Sequence, residues 1–214
     1  MSKNRHYCSL GRKHPFIHVY RKFISFIGNG ETVNERIILG IDPGTKIMGY
    51  GIIKAMGKQA QLLDMGVCNF SRIDDHYLRM EKIFRNTLEL IDKYNPDELA
   101  IEAPFYGKNV QSMLKLGRAQ GVAIAAALSR QLPIFEYAPR KIKMAITGQG
   151  AASKEQVAGF LKSVLQFPEI PKNLDATDGL AAAMCHFYQR NPLSEGKNYT
   201  GWEDFIKKNP QRER

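Results

Sequence analysis

Residues Ile37 to Thr45, IILGIDPGT, constrain the fold more than any other stretch of the chain. Ile37 to Ile41 are apolar or glycine and rich in β-branched side chains, the composition of a strand covered on both faces. Asp42 stands where that strand stops. Pro43 has no amide hydrogen to continue a ladder and Gly44 tolerates φ > 0, so the pair ends the strand and turns the chain. The carboxylate is either held on a rigid strand end, open to a ligand, or it caps its own turn. Three further acids, similarly placed later in the chain, favour the first reading.

The segments that follow supply the rest of a layered α/β domain. Met48 to Lys54 and Gln61 to Asn69 read as two more strands, with Gly57 to Gln59 turning between them; such short connections make antiparallel neighbours. From Tyr77 to Tyr94, Met80, Ile83, Phe84, Leu88 and Ile91 recur at spacings of three and four, one face of an amphipathic helix. Pro96 and Asp97 end it, and Glu98 to Glu102 (ELAIE) forms a strand. A strand, a long helix and a strand make a right-handed parallel crossover, so Glu102 should emerge beside Asp42. A helix crowded with small residues follows over Gln111 to Gln131, then a strand over Pro133 to Tyr137. Helices are expected over Arg140 to Ile146, Lys154 to Leu165 and Asp175 to Gln189. The fold class is therefore α/β: a mixed five-stranded sheet, three antiparallel strands and then parallel crossovers, with helices on both faces.

This body spans residues 36–190. Residues 1–35 are expected to be a basic, poorly ordered extension; a start site set too far upstream would also produce one. Residues 191–214 form a tail in which Thr200 and Glu203 make a capping box for a short helix ending near Lys208.

The 31 Lys and Arg against 21 Asp and Glu give a net charge of +10, of which the three segments contribute +4, +5 and +1. That balance suits a polyanionic partner, nucleic acid or an anionic surface. Cys8, Cys68 and Cys185 are too few and too scattered for a zinc site or a disulfide framework and fit a reducing compartment. No apolar run approaches the roughly 20 residues of a membrane span. The expectation is a cytoplasmic protein with no membrane partner.

Asp175 and Asp178, three apart at the start of the last helix, project to one side. Alone they could simply cap amides and complement the helix dipole. The residues behind them, GLAAAM, place that helix end against the core, where two acids need compensation. Together Asp42, Glu102, Asp175 and Asp178 would form a four-carboxylate cluster on one sheet edge. Like charges at about 4 Å repel, so either protons or cations must neutralise them. An oxygen-only donor set favours Mg²⁺ or Mn²⁺ over zinc. Two such ions can activate a water and stabilise the leaving oxygen of a phosphodiester. His186 lies on roughly the same side of that helix, where a packing role outweighs a ligating one.

Four blocks resemble the RuvC-type Holliday junction resolvases in order and spacing: ILGIDPGTKIMGYGII from Ile38, IEAPFYGKNVQSMLKLGRAQG from Ile101, PIFEYAPRKIK from Pro133 and DATDGLAAAMCH from Asp175. The resemblance implies a ribonuclease H-like fold, a homodimer, and Mg²⁺-dependent nicking of two opposing strands of a four-way DNA junction, in cooperation with a branch-migration complex. It assigns Asp42, Glu102, Asp175 and Asp178 as the metal-binding catalytic acids. Phe105 matches the aromatic that stacks on bases near the crossover. Lys143 and Lys154 match basic residues at the scissile phosphate. Lys108 and Arg140 join them as candidate backbone contacts by proximity in sequence. The small residues of Gln111 to Gln131 are a candidate dimer seam. The extension before Glu35 has no counterpart in the resemblance, and the tail after Asn191 differs from it in sequence.

Two other classes compete with this reading. A non-catalytic junction-binding protein would not need all four acids. An actin-like phosphotransferase needs a second phosphate-binding hairpin that the sequence lacks.

Overall fold

The computed structural model describes residues 35–104 and 109–190. The expectations for residues 1–34, Phe105, Lys108 and the tail helix lie outside these residues.

The first three strands, β1 (Glu35–Asp42), β2 (Ile47–Met56) and β3 (Gln59–Asn69), form an antiparallel meander. β2 and β3 reach further than their apolar patterns suggest. Met56 pairs with Gln59 across a two-residue turn, and Gly57 takes φ 57° there, so the ladder runs to the tip of the hairpin. Helix α1 (His76–Tyr94) is started by Asp75, whose side chain accepts the Leu78 amide, and stopped by Asn95 in the left-handed region. It returns the chain to β4 (Glu98–Glu102), which pairs in parallel with β1. Helix α2 (Val110–Ser129) makes a second crossover to β5 (Ile134–Tyr137), parallel to β4. Then come α3 (Pro139–Thr147), α4 (Lys154–Leu165) and α5 (Asp175–Arg190). The sheet order is β3-β2-β1-β4-β5, the mixed arrangement expected from the connections.

The sheet separates two apolar cores by strand alternation. Leu39, Ile41, Leu99 and Ile101 join Ile83 of α1 and Ala119 and Ala123 of α2 on one face. Ile38 and Ala100 join Leu180 to Phe187 of α5 on the other. Asp42 and Glu102 continue the parity of Ile38 and Ala100, which puts both acids on the α5 side.

Helix α5 lies nearly in contact with the strand backbones. A Cβ on Gly179 would stand 2.5 Å from the Tyr50 Cα, and one on Gly40 would stand 2.5 Å from the Ala183 nitrogen. The run of small residues in α5 is thus the steric condition for this approach. Its far end is pinned by a buried polar group. His186 bridges the Tyr137 hydroxyl at 2.6 Å and the Glu98 carboxylate at 2.9 Å, and Arg190 also donates to Glu98 at 2.6 Å. His186 is a fully partnered packing residue. Among the described residues no helix is long and apolar enough to cross a membrane.

Candidate active site

Asp42 closes β1 and Glu102 closes β4. The parallel register pairs Ile41 with Ile101, so the two acids leave the same sheet edge from adjacent strands. Asp175 and Asp178 occupy the first turn of α5, which the glycine contacts press onto β1 and β2 at that edge. Asn173 accepts the Asp175 amide at 3.0 Å and fixes the start of the helix. Carboxylate oxygens of Asp42, Asp175 and Asp178 lie within 4.8 Å of one another. Glu102 stands outside this triad, although the charges of Asp42 and Asp178 both act on it.

The electrostatics are those of acids held together on an apolar floor. Burial, reinforced by the charges of Asp178 and Asp175, pushes Asp42 up to about 7. Burial, with the charges of Asp42 and Asp178, pushes Glu102 up to about 8. Asp178 is also raised, chiefly by burial. Two basic side chains oppose this repulsion. Lys154, the first residue of α4, places its Nζ 3.0 Å from Asp175 Oδ1 and also donates to Asp178 Oδ2. Burial lowers the Lys154 pKa, but its hydrogen bonds to Asp178 and Asp175 outweigh this and hold it above the ordinary lysine value. Lys143 of α3 acts on Glu102 and Asp178 through its charge. Arg140, one turn earlier on α3, lies over Gly150, where an added Cβ would meet its Cγ at 2.7 Å.

The donor set fits a hard divalent cation. All of its atoms are carboxylate oxygens, and those of Asp42, Asp175 and Asp178 come within 4.8 Å of one another, the hard oxygen donors that such an ion takes. The raised acids state the same need, since each favours neutralisation over standing as a bare anion.

The sequence pattern did not reveal two supporting residues. Gln120, buried on α2, donates to the Glu136 carboxylate at 2.8 Å and to the Glu102 carbonyl at 3.4 Å, tying β5 to the strand end that carries Glu102. Its role depends on the rotation of α2 about its axis, which a stretch of alanines and glycines leaves undefined. Asn173 was missed as well, although an Asn two residues before a helical Asp is a local signal that could have been read.

Comparison with known proteins agrees with this geometry. Residues 38–186 match the family model of the crossover junction endodeoxyribonuclease RuvC. The chain is 63% identical over 179 residues to the crossover junction endodeoxyribonuclease RuvC of Christiangramia forsetii, covering 84% of this chain and 93% of the relative. The protein of the same name from Bacteroides fragilis is 59% identical over 184 residues, covering 85% and 98%. Among solved structures, T. thermophilus RuvC in complex with a Holliday junction substrate superposes with a TM-score of 0.67 at 32% identity, over 72% of this chain and 95% of that one. The five-stranded mixed sheet with helices on both faces is accordingly of the ribonuclease H-like type. From the span of the family match and the identity to these relatives, the chain belongs to the RuvC family of crossover junction endodeoxyribonucleases.

Proposed function

We infer that this chain is a metal-dependent endonuclease that resolves four-way DNA junctions in recombination and repair. It nicks two opposing strands and leaves 5′-phosphate and 3′-hydroxyl ends, which can be rejoined. The observation that carries this reading is the convergence of Asp42, Asp175 and Asp178, with Glu102 on the neighbouring strand, in a chain of this family.

Asp42, Glu102, Asp175 and Asp178 would hold Mg²⁺, two ions per site, with Mn²⁺ able to substitute. When bound, such ions supply an activated water and charge stabilisation at the leaving oxygen. The residues of the chain do the positioning. The ends of β1 and β4 fix Asp42 and Glu102 on a rigid edge, and the close packing of Gly179 of α5 on Gly40 and Gly49 of the strands fixes Asp175 and Asp178 against them. Lys143 and Lys154 present positive charge where the scissile phosphate must approach, and Lys108 and Arg140 add backbone contacts. Phe105 stacks on bases at the crossover.

A symmetric pair of sites suits a junction with near two-fold symmetry, which favours a homodimer. The outer face of α2 supports it: Val110, Leu114 and Leu128 are 61%, 54% and 61% exposed, and the intervening Gly117 and Gly121 leave open space for a second backbone. The junction would be delivered by a branch-migration complex, and the reaction belongs in the cytoplasm.

The test is cleavage of immobile four-way junctions of several sequences, beside a matched linear duplex, with Mg²⁺ or EDTA. Paired, metal-dependent nicks on the junction alone, lost in Asp42→Asn, are the expected result. Binding of the junction without cleavage of any sequence would reject the catalytic reading, and equal cutting of the duplex would reject the selectivity.

A further inference from the structure

Lys154 has a position that its role as a phosphate contact does not account for. It is the first residue of α4, where the helix dipole is positive and a cation is locally disfavoured. Ser153 and Gln156 fix the backbone there: the Ser153 Oγ accepts the Gln156 amide at 3.3 Å and the Gln156 Oε1 accepts the Ser153 amide at 2.8 Å. From this rigid base the lysine stem reaches back into the acid cluster, and its ammonium bridges Asp175 and Asp178. These two acids and Asp42 are the set whose oxygens converge on one point. The ammonium therefore stands on the oxygens that a metal ion would need. Its side chain is 50% exposed, so it can leave towards solvent without rearranging the core.

We propose that Lys154 is a built-in counter-ion of the active site that a metal ion displaces; the proposal rests on the assignment of the acids as metal ligands. Without metal, the ammonium holds Asp175 and Asp178 against the repulsion of Asp42 and Glu102, so the first turn of α5 keeps its place. A divalent cation carries more charge to the same oxygens and repels the ammonium from them. The four-carbon stem then swings the charge to the mouth of the site, where it becomes available to a phosphate oxygen. Metal loading and engagement of the DNA backbone are coupled through this one side chain. The device also disfavours binding of DNA phosphate by Lys154 before the site can cut.

Two measurements without DNA test this. In the wild-type chain, amine-labelling kinetics followed by mass spectrometry should show Lys154 reacting slowly in EDTA. Saturating Mn²⁺ should speed its reaction several-fold while leaving distant lysines such as Lys58 unchanged. In calorimetric titration, Lys154→Met should bind Mn²⁺ about 2- to 5-fold more tightly than wild type, the range expected when a half-exposed ion pair no longer competes. Lys154→Arg, which keeps the charge, should stay near wild type. Labelling of Lys154 that does not respond to bound Mn²⁺, or Mn²⁺ affinity in Lys154→Met equal to or below wild type, would overturn the proposal. Absence of any Mn²⁺ binding that Asp42→Asn removes would instead overturn the assignment of the acids.

Discussion

Replacing Asp42 with Asn should make the metal-free protein more stable at alkaline pH, the opposite of the usual cost of changing a half-buried residue. Folding carries Asp42 from the ordinary aspartate value of 3.8 to about 7 and Glu102 from 4.5 to about 8. Between those limits the folded chain holds more protons than the unfolded one, so stability falls as pH rises. The contribution is complete below about pH 4 and lost above about pH 8. For Asp42 the displacement of about three pH units corresponds to about 4 kcal/mol. Part of the Glu102 displacement is repulsion from Asp42 itself, so the two contributions are not summed. The Asn side chain has the shape of the protonated acid and carries no charge. At pH 8.5 in EDTA, Asp42→Asn should therefore melt above wild type, by about 6–12 °C for roughly 3 kcal/mol retained in a domain of this size. At pH 4 the two should nearly coincide. Added Mg²⁺ or Mn²⁺ should raise the wild type more than the variant and close most of the gap. The assay is thermal unfolding by circular dichroism from pH 4 to 8.5, with and without metal. A wild-type midpoint that stays flat across this range in EDTA, with no advantage for Asp42→Asn at pH 8.5, would refute the account of the site as acids held together against their repulsion.

Three further outcomes follow from particular contacts. Gly179→Ala places a methyl 2.5 Å from the Tyr50 Cα, so α5 must lift from the strands; a loss of about 1–3 kcal/mol in chemical denaturation should be accompanied by a larger loss of metal affinity, because Asp175 and Asp178 lift with the helix. Glu98 is buried, which raises its pKa, but hydrogen bonds from His186 and Arg190 outweigh this and bring it from 4.5 to about 2, so its contribution is present above pH 4.5 and lost as pH falls towards 2. Glu98→Gln should cost about 3 kcal/mol at pH 7, and urea titrations at successive pH values should show that difference shrinking below pH 4. Leu114→Glu on the open face of α2 should leave the melting temperature of dilute protein nearly unchanged while shifting sedimentation towards the monomer; an unaltered dimer would place the seam elsewhere.

The order of elements and the identity of the candidate acids were legible in the sequence for local reasons. The β-branched run from Ile37 to Ile41, the amphipathic spacing of α1 and the short turn at Gly57 each express a preference of a few consecutive residues, and the sheet order follows from connection lengths. α4 and β4 have the bounds read from their caps and flanking residues, whereas β2 and β3 run further because pairing with a neighbour continues where hydrophobic alternation has ended. The sequence placed the four acids on one edge, since parallel strands end together and a helical pair three apart shares a face. Four matters were left to the tertiary structure. The depth to which α5 sinks onto β1 and β2 depends on glycines far apart in the chain, Gly40, Gly49 and Gly179, meeting across two layers. The separation of Asp42, Asp175 and Asp178 into a tight triad with Glu102 beyond it depends on that depth. The reach of Lys154 onto two acids more than twenty residues away depends on the angle of α4 to α5, and the rotation that aims Gln120 at the end of β4 depends on how α2 packs. Hydrophobic period and turn chemistry act along the chain and are written in neighbouring residues; the distances between charged groups arise from how closely whole layers pack, and no local pattern encodes them.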